Sequence, residues 1–203
     1  MRKALIAALL ASPLLALASP VNLVNNGSFE AEIKANGQWS NYSSLTGWSA
    51  GTRGVELRNN VAGSALDGSN FVELDTTGNS WISQTIATVA GQWYSLEFAY
   101  SNRAGVAAAS NGLAWSFGGA SGTADAQALI SGNHQWQTGS ALVQASGSSM
   151  VLRFEALGSS DSLGSSLDRV SVTSAVPEPE SYALMLAGLG AMALVARRRR
   201  AQQ

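Results

Sequence analysis

A two-sheet β-sandwich is the fold class that this chain predicts, and three observations carry it. Apolar and polar residues alternate with a period of two in several short runs, the pattern of half-buried strands. Clusters of Gly, Asn and Ser separate those runs and supply turns. Between residues 20 and 176 no stretch sustains the spacing of an amphipathic helix.

The elements follow in chain order. Short strands are expected over 54–58, 70–75 and 81–88. Over 93–100 the period is clearest, with Tyr94, Leu96, Phe98 and Tyr100 on one face and Trp93, Ser95, Glu97 and Ala99 on the other. Leu113, Trp115 and Phe117 alternate with small or polar partners. A candidate at 140–145 precedes Met150, Leu152, Phe154 and Ala156, which oppose Val151, Arg153 and Glu155, and 169–173 closes the series. Eight or nine short strands at this spacing suit an all-β sandwich.

Both ends read as addresses. Arg2 and Lys3 precede an apolar run from Ala4 to Ala18, and Ala16-Leu17-Ala18 offers a small-x-small cleavage site, so 1–18 is expected to be a signal peptide. At the other end Pro177 and Pro179 bracket Glu178 in a helix-resistant segment. An uncharged run over 181–196 follows and stops at Arg197, Arg198, Arg199 and Arg200. Sixteen residues at helical rise span roughly 24 Å, a thin transmembrane helix whose arginines would stay cytoplasmic. This order of parts over 177–203 resembles the PEP-CTERM sorting signal of Gram-negative bacteria. The resemblance implies an exosortase that removes the span near the Pro-Glu-Pro, and an inner-membrane-anchored precursor released to the cell surface or beyond.

The remaining domain, residues 19–176, is acidic. Lys34, Arg53, Arg58, Arg103, Arg153 and Arg169 face eleven Asp and Glu residues, a balance near −5. Such a surface argues against nucleic acid as a partner. The chain has no cysteine, so an exported domain would be held by its core, with or without a metal.

Five pieces in order, Asn22 to Glu30, Gly47-Trp48, Gly68 to Asp75, Ser83 to Ile86 and Leu167 to Val172, resemble galactose-binding-domain-like jelly rolls, with family 4 carbohydrate-binding modules the nearest comparison. The resemblance implies a jelly-roll topology. It also implies a structural calcium carried over to Glu30 and Asp168, since that ion takes several oxygen ligands. Arg169 departs from the pattern, and Arg169 or Arg153 could pair with those acids instead.

Among the six tryptophans, Trp48 and Trp115 read as core, and Trp39 and Trp136 as displayed on loops. Trp81 and Trp93 fall on outward faces by alternation, where indoles can stack on sugar rings. They are therefore the candidate ligand platform, with Asn79, Gln84 and Glu97 as polar contacts.

Catalysis finds little support. His134 is the sole histidine, set in a turn-like segment, and no strand–elbow–helix nucleophile motif is present. Glu73, Asp75 or Glu97 could form a glycosidase pair, though adjacent odd positions on a strand more often decorate a surface. The expected function is an exported, non-catalytic protein that binds carbohydrate such as the cell's own exopolysaccharide. The alternatives are a structural or adhesive envelope protein that recognises protein, and a glycan-cleaving enzyme.

Overall fold

Alternation in the sequence becomes alternation of burial: along Trp93–Ser101 the residues Tyr94, Leu96 and Phe98 are buried while Trp93 and Glu97 are exposed. The computed structural model describes residues 20–124, 132–175, 186–190, 192 and 197. The expected signal peptide, the Pro-Glu-Pro and Arg198 to Arg200 lie outside the described residues. Most of the expected transmembrane helix does too; residues 186–190 and 192 are helical and exposed, and among the described residues no helix is long and apolar enough to cross a membrane.

Among the described residues twelve strands form two six-stranded sheets. One sheet runs β1 (Gln38–Tyr42), β4 (Val55–Asn59), β5 (Phe71–Glu73), β12 (Ser166–Ser174), β7 (Trp93–Ser101) and β10 (Gln137–Gln144). The other runs β2 (Ser44–Leu45), β3 (Trp48–Ala50), β6 (Trp81–Ala87), β11 (Ser149–Ala156), β8 (Leu113–Phe117) and β9 (Ala120–Ala124). Every pairing is antiparallel. All eight expected strands are present; β1, β2, β3 and β9 are additional.

The inward faces meet in one core. Leu57, Val72, Leu96, Phe98, Leu167 and Val172 of the first sheet pack against Ile82, Ile86, Leu113, Phe117, Leu152 and Phe154 of the second. The rings of Phe98 and Phe154 meet edge to face at 5.0 Å, and Trp48 reaches both Phe154 and Phe29. Trp48 is thus core, as expected, and Trp115 packs against Phe98.

A simple sandwich would leave the outer face of the first sheet in water. Here β4 and β5 are buried along their whole length. Their outward residues Glu56, Arg58, Phe71 and Glu73 lie beneath connecting segments: His134 meets the Phe71 ring edge-on at 4.6 Å, and the Gly164 amide reaches Glu73. One half of that face is roofed, and the other, with Trp93 and Leu142, is open.

Candidate functional site

The strand register sets out the site. Trp39 lies opposite Arg58, and Asn41 opposite Glu56, on β1 and β4; Glu56 in turn lies opposite Glu73 on β5. Directly opposed residues project to the same face, so one outward row carries an indole, an amide and three charges. Trp39 is 51% exposed. Beside it a groove of about 360 Å³ is lined by Trp39, Asn41, Glu56, Arg58 and Arg103, with Val61, Thr76, Thr77 and Ser162 at its margins.

The groove floor is an ionic network. Arg58 donates from Nε to Glu56 at 2.6 Å and from Nη2 to Glu73 at 3.2 Å. Arg103 donates from Nη1 to Glu73 at 3.2 Å and to the Ser162 carbonyl at 3.3 Å. The Gly164 amide donates to Glu73 at 2.9 Å. Burial nevertheless pushes the Glu73 carboxyl up to about 7, because the cost of holding its charge away from water outweighs the pull of Arg58 and Arg103. Arg58 Nη1 is buried and has no acceptor.

A second hollow, of about 450 Å³, lies between Asn60, Gly63, Ser64, Ala104 and Asn133. Among the described residues no charge or aromatic ring lines it. Its wall is pinned by His134, whose Nδ1 donates to the Ser64 carbonyl at 2.9 Å and whose Nε2 accepts from the Ser166 hydroxyl at 3.0 Å. Burial lowers the affinity of that imidazole for a proton, so it is a neutral structural pin. Trp136, expected on display, donates Nε1 to the same carbonyl and packs against His134.

The expected ligand platform is not assembled. Trp81 belongs to β6 of one sheet and Trp93 to β7 of the other, so their outward faces point to opposite sides of the molecule. Arg153, ion-paired with Glu155, lies over the Trp81 ring at 4.1 Å and covers it. Gln84 ties down the N-terminal segment, accepting from Asn25 N at 2.8 Å and donating to the Asn25 and Gly47 carbonyls. Asn79 is held by Gly158 and Ser160. Trp93 and Glu97 are exposed on one strand, but Trp39 is four strands away, roughly 19 Å at about 4.8 Å per step.

Glu30 and Asp168 grip one loop. Glu30 Oε1 accepts from Ser69 N at 2.7 Å and Asn70 N at 2.6 Å. Asp168 Oδ2 accepts from Leu66 N at 2.8 Å and Asp67 N at 2.9 Å, while Oδ1 accepts from Arg169 N at 2.6 Å. Burial pushes the Asp168 carboxyl up to about 6. Calcium would need these oxygens beside further oxygen ligands, yet here they face N–H dipoles that repel a cation. Among the described residues no group of three or more His, Cys, Asp or Glu could hold a metal ion, and carboxylates already turned to backbone amides fit the implied calcium poorly. Neither arginine takes its place: Arg153 serves Glu155, and Arg169 contributes only its backbone amide, at φ 46° in a β-bulge.

With this geometry in hand, residues 22–173 match the family described as protein of unknown function (DUF642). The chain belongs to the DUF642 family. Residues 175–200 match the PEP-CTERM protein-sorting motif, which makes this DUF642 protein a substrate of exosortase. No curated protein matches it. Among solved structures it is similar to TmCBM61 in complex with beta-1,4-galactotriose, at 17% identity and TM-score 0.50, covering 76% of this chain and 99% of that one. A family 35 carbohydrate-binding module from Clostridium thermocellum is 17% identical at TM-score 0.46, covering 68% and 99%. The DUF642 domain thus has a carbohydrate-binding-module-like jelly-roll fold.

Proposed function

We propose that this protein is an exported, non-catalytic glycan binder, and that the groove beside Trp39 is where it holds sugar. The observation that carries the reading is a half-exposed indole set beside polar groups that are already fixed in place. Such an indole offers an apolar face to a pyranose ring, and amide and carboxylate groups alongside it can meet sugar hydroxyls. An inner-membrane-anchored precursor, cut near the Pro-Glu-Pro, would deliver the domain to exopolysaccharide at the cell surface. The fold similarity to TmCBM61 is consistent with this reading.

Hydrolysis is disfavoured by access. Glu73 and Glu56 are opposed across β4 and β5, yet the Glu73 carboxyl is fully buried with both oxygens engaged by arginines. A general acid must reach the glycosidic oxygen within hydrogen-bond distance. Asp75 is equally buried, and Glu97 stands on the open half of the sheet. The test is a glycan array probed with the full chain and with Trp39→Ala. Binding that survives loss of the indole would remove the groove from the site.

A further inference from the structure

The charges beneath the indole go beyond what a neutral sugar needs. The exported domain holds six basic residues against eleven acidic ones, yet two of the six, Arg58 and Arg103, line this one groove. Arg58 is held rigid by Glu56 and Glu73, and its side chain is only 5% exposed. Its Nη1 is nevertheless a buried donor without an acceptor. Among the described residues the Arg103 side chain spends only Nη1 on protein partners, and it is 20% exposed. The remainder of its fork is therefore left for a ligand.

Taking the glycan reading as its starting point, we propose that the groove selects a sugar unit bearing a carboxylate, such as a uronate, with Trp39 under the ring and the Arg103 guanidinium on the acid. Guanidinium and carboxylate match as a planar two-point hydrogen bond, stronger than a bond between neutral groups. Arg58 supplies fixed positive potential beneath it, in a low-dielectric wall where charge is poorly screened. Glu73 cancels only part of this charge at neutral pH, because burial raises its carboxyl to about 7 and leaves it partly protonated. Glu56 is the remaining anion and is spent on Arg58 Nε. For an acidic partner on an acidic domain the recognition must be local: the net charge opposes the encounter at long range, and the two arginines of the groove offset it at contact.

The experiment is calorimetric titration of the full chain with a tetragalacturonate and with its carboxyl-reduced, neutral counterpart, at 20 and 300 mM NaCl. The expected result is at least a tenfold preference for the acid at low salt, shrinking at high salt. In Arg103→Gln the ratio of acid to neutral affinity should collapse toward one. Arg103→Lys keeps the charge but loses the fork, and should retain only part of the preference. Thermal melts of each variant guard against loss of fold, and the lysine variant carries the test if glutamine does not fold. Equal binding of both oligosaccharides overturns the acid preference and leaves the glycan reading standing. Failure to bind either overturns both.

Discussion

Trp39 stands directly opposite Arg58 in the β1–β4 register, so an exposed indole and a buried guanidinium share one face of the sheet. The pairing joins two demands that are usually met in different places. Stacking needs an open apolar surface, whereas a charge held rigidly needs burial and partners. Here the sheet edge supplies the first and the roofed strands β4 and β5 supply the second, one strand apart.

That relationship fixes the first expectation. Trp39→Ala should weaken glycan binding about fivefold, since one stacked ring is worth about 1 kcal/mol, and should leave the melting temperature nearly unchanged because half the ring already meets water. Trp93→Ala, on the open half of the same sheet, should leave binding as it is. Trp81→Ala should also spare binding, but it should lower stability slightly through loss of the Arg153 contact. Retention of the protein on immobilised glycan, with a melt of each variant, separates these outcomes.

How much of this was legible in the sequence depended on burial. Strands such as β7 and β11 have one face in the core, so their period of two is written in Tyr94 to Phe98 and Met150 to Phe154. β1 sits at a sheet edge with both faces partly wet, and Gln38 to Tyr42 therefore shows no apolar alternation. Trp39 consequently read as a loop residue. The charges were more visible, because Glu56 and Arg58 alternate with Val55 and Leu57. What could not be read was the roof over them: Arg103, His134 and Gly164 arrive from distant segments, and Arg103 and His134 carry no local pattern. The same limit explains Trp81 and Trp93. Alternation says that each points outward but not which sheet holds it.

The loop gripped by Glu30 and Asp168 gives an expectation about metal. Asp168→Ala would leave the Leu66, Asp67 and Arg169 amides without their shared acceptor, and an unsatisfied buried donor costs about 1–3 kcal/mol. The variant should therefore melt well below the wild type. Neither protein should respond to millimolar calcium or to chelator. A ligand that binds only the folded state raises the melting temperature with its concentration, so a calcium-dependent rise in the wild type that is lost in the variant would restore the metal.

Sorting gives a third. Residues 175–200 match the PEP-CTERM motif, and an exosortase substrate should lose its apolar run and arginines. Intact mass of the protein from its native host should show a start near Ser19 and an end between Pro177 and Pro179. Recovery of mature exported protein that still carries Arg197 to Arg200 would contradict processing.

Glu73 makes the stability of the domain depend on pH in a direction that can be worked out. Its ordinary value is 4.5 and burial raises it to about 7 in the fold. Between those values the native protein keeps a proton that the unfolded chain has released. Its contribution is therefore fully present below about 4.5 and is lost as the pH rises toward 7. Asp168, raised from 3.8 to about 6, acts in the same sense at lower pH. His134, whose affinity for a proton is lowered by burial, acts in the opposite sense below its ordinary 6.5, so the wild-type curve alone is a compromise. The comparison that isolates the titration of Glu73 is with Glu73→Gln, which keeps the shape and one of the two acceptor oxygens but cannot titrate; its lost acceptor lowers the melting temperature by an amount that does not vary with pH. Melting temperatures measured from pH 4 to 9 should show the difference, wild type minus variant, falling between about 4.5 and 7 and flat above. A difference that instead grows with pH would mean that Arg58 and Arg103 outweigh burial and hold the carboxylate ionised, which would also remove the surplus positive charge from the groove.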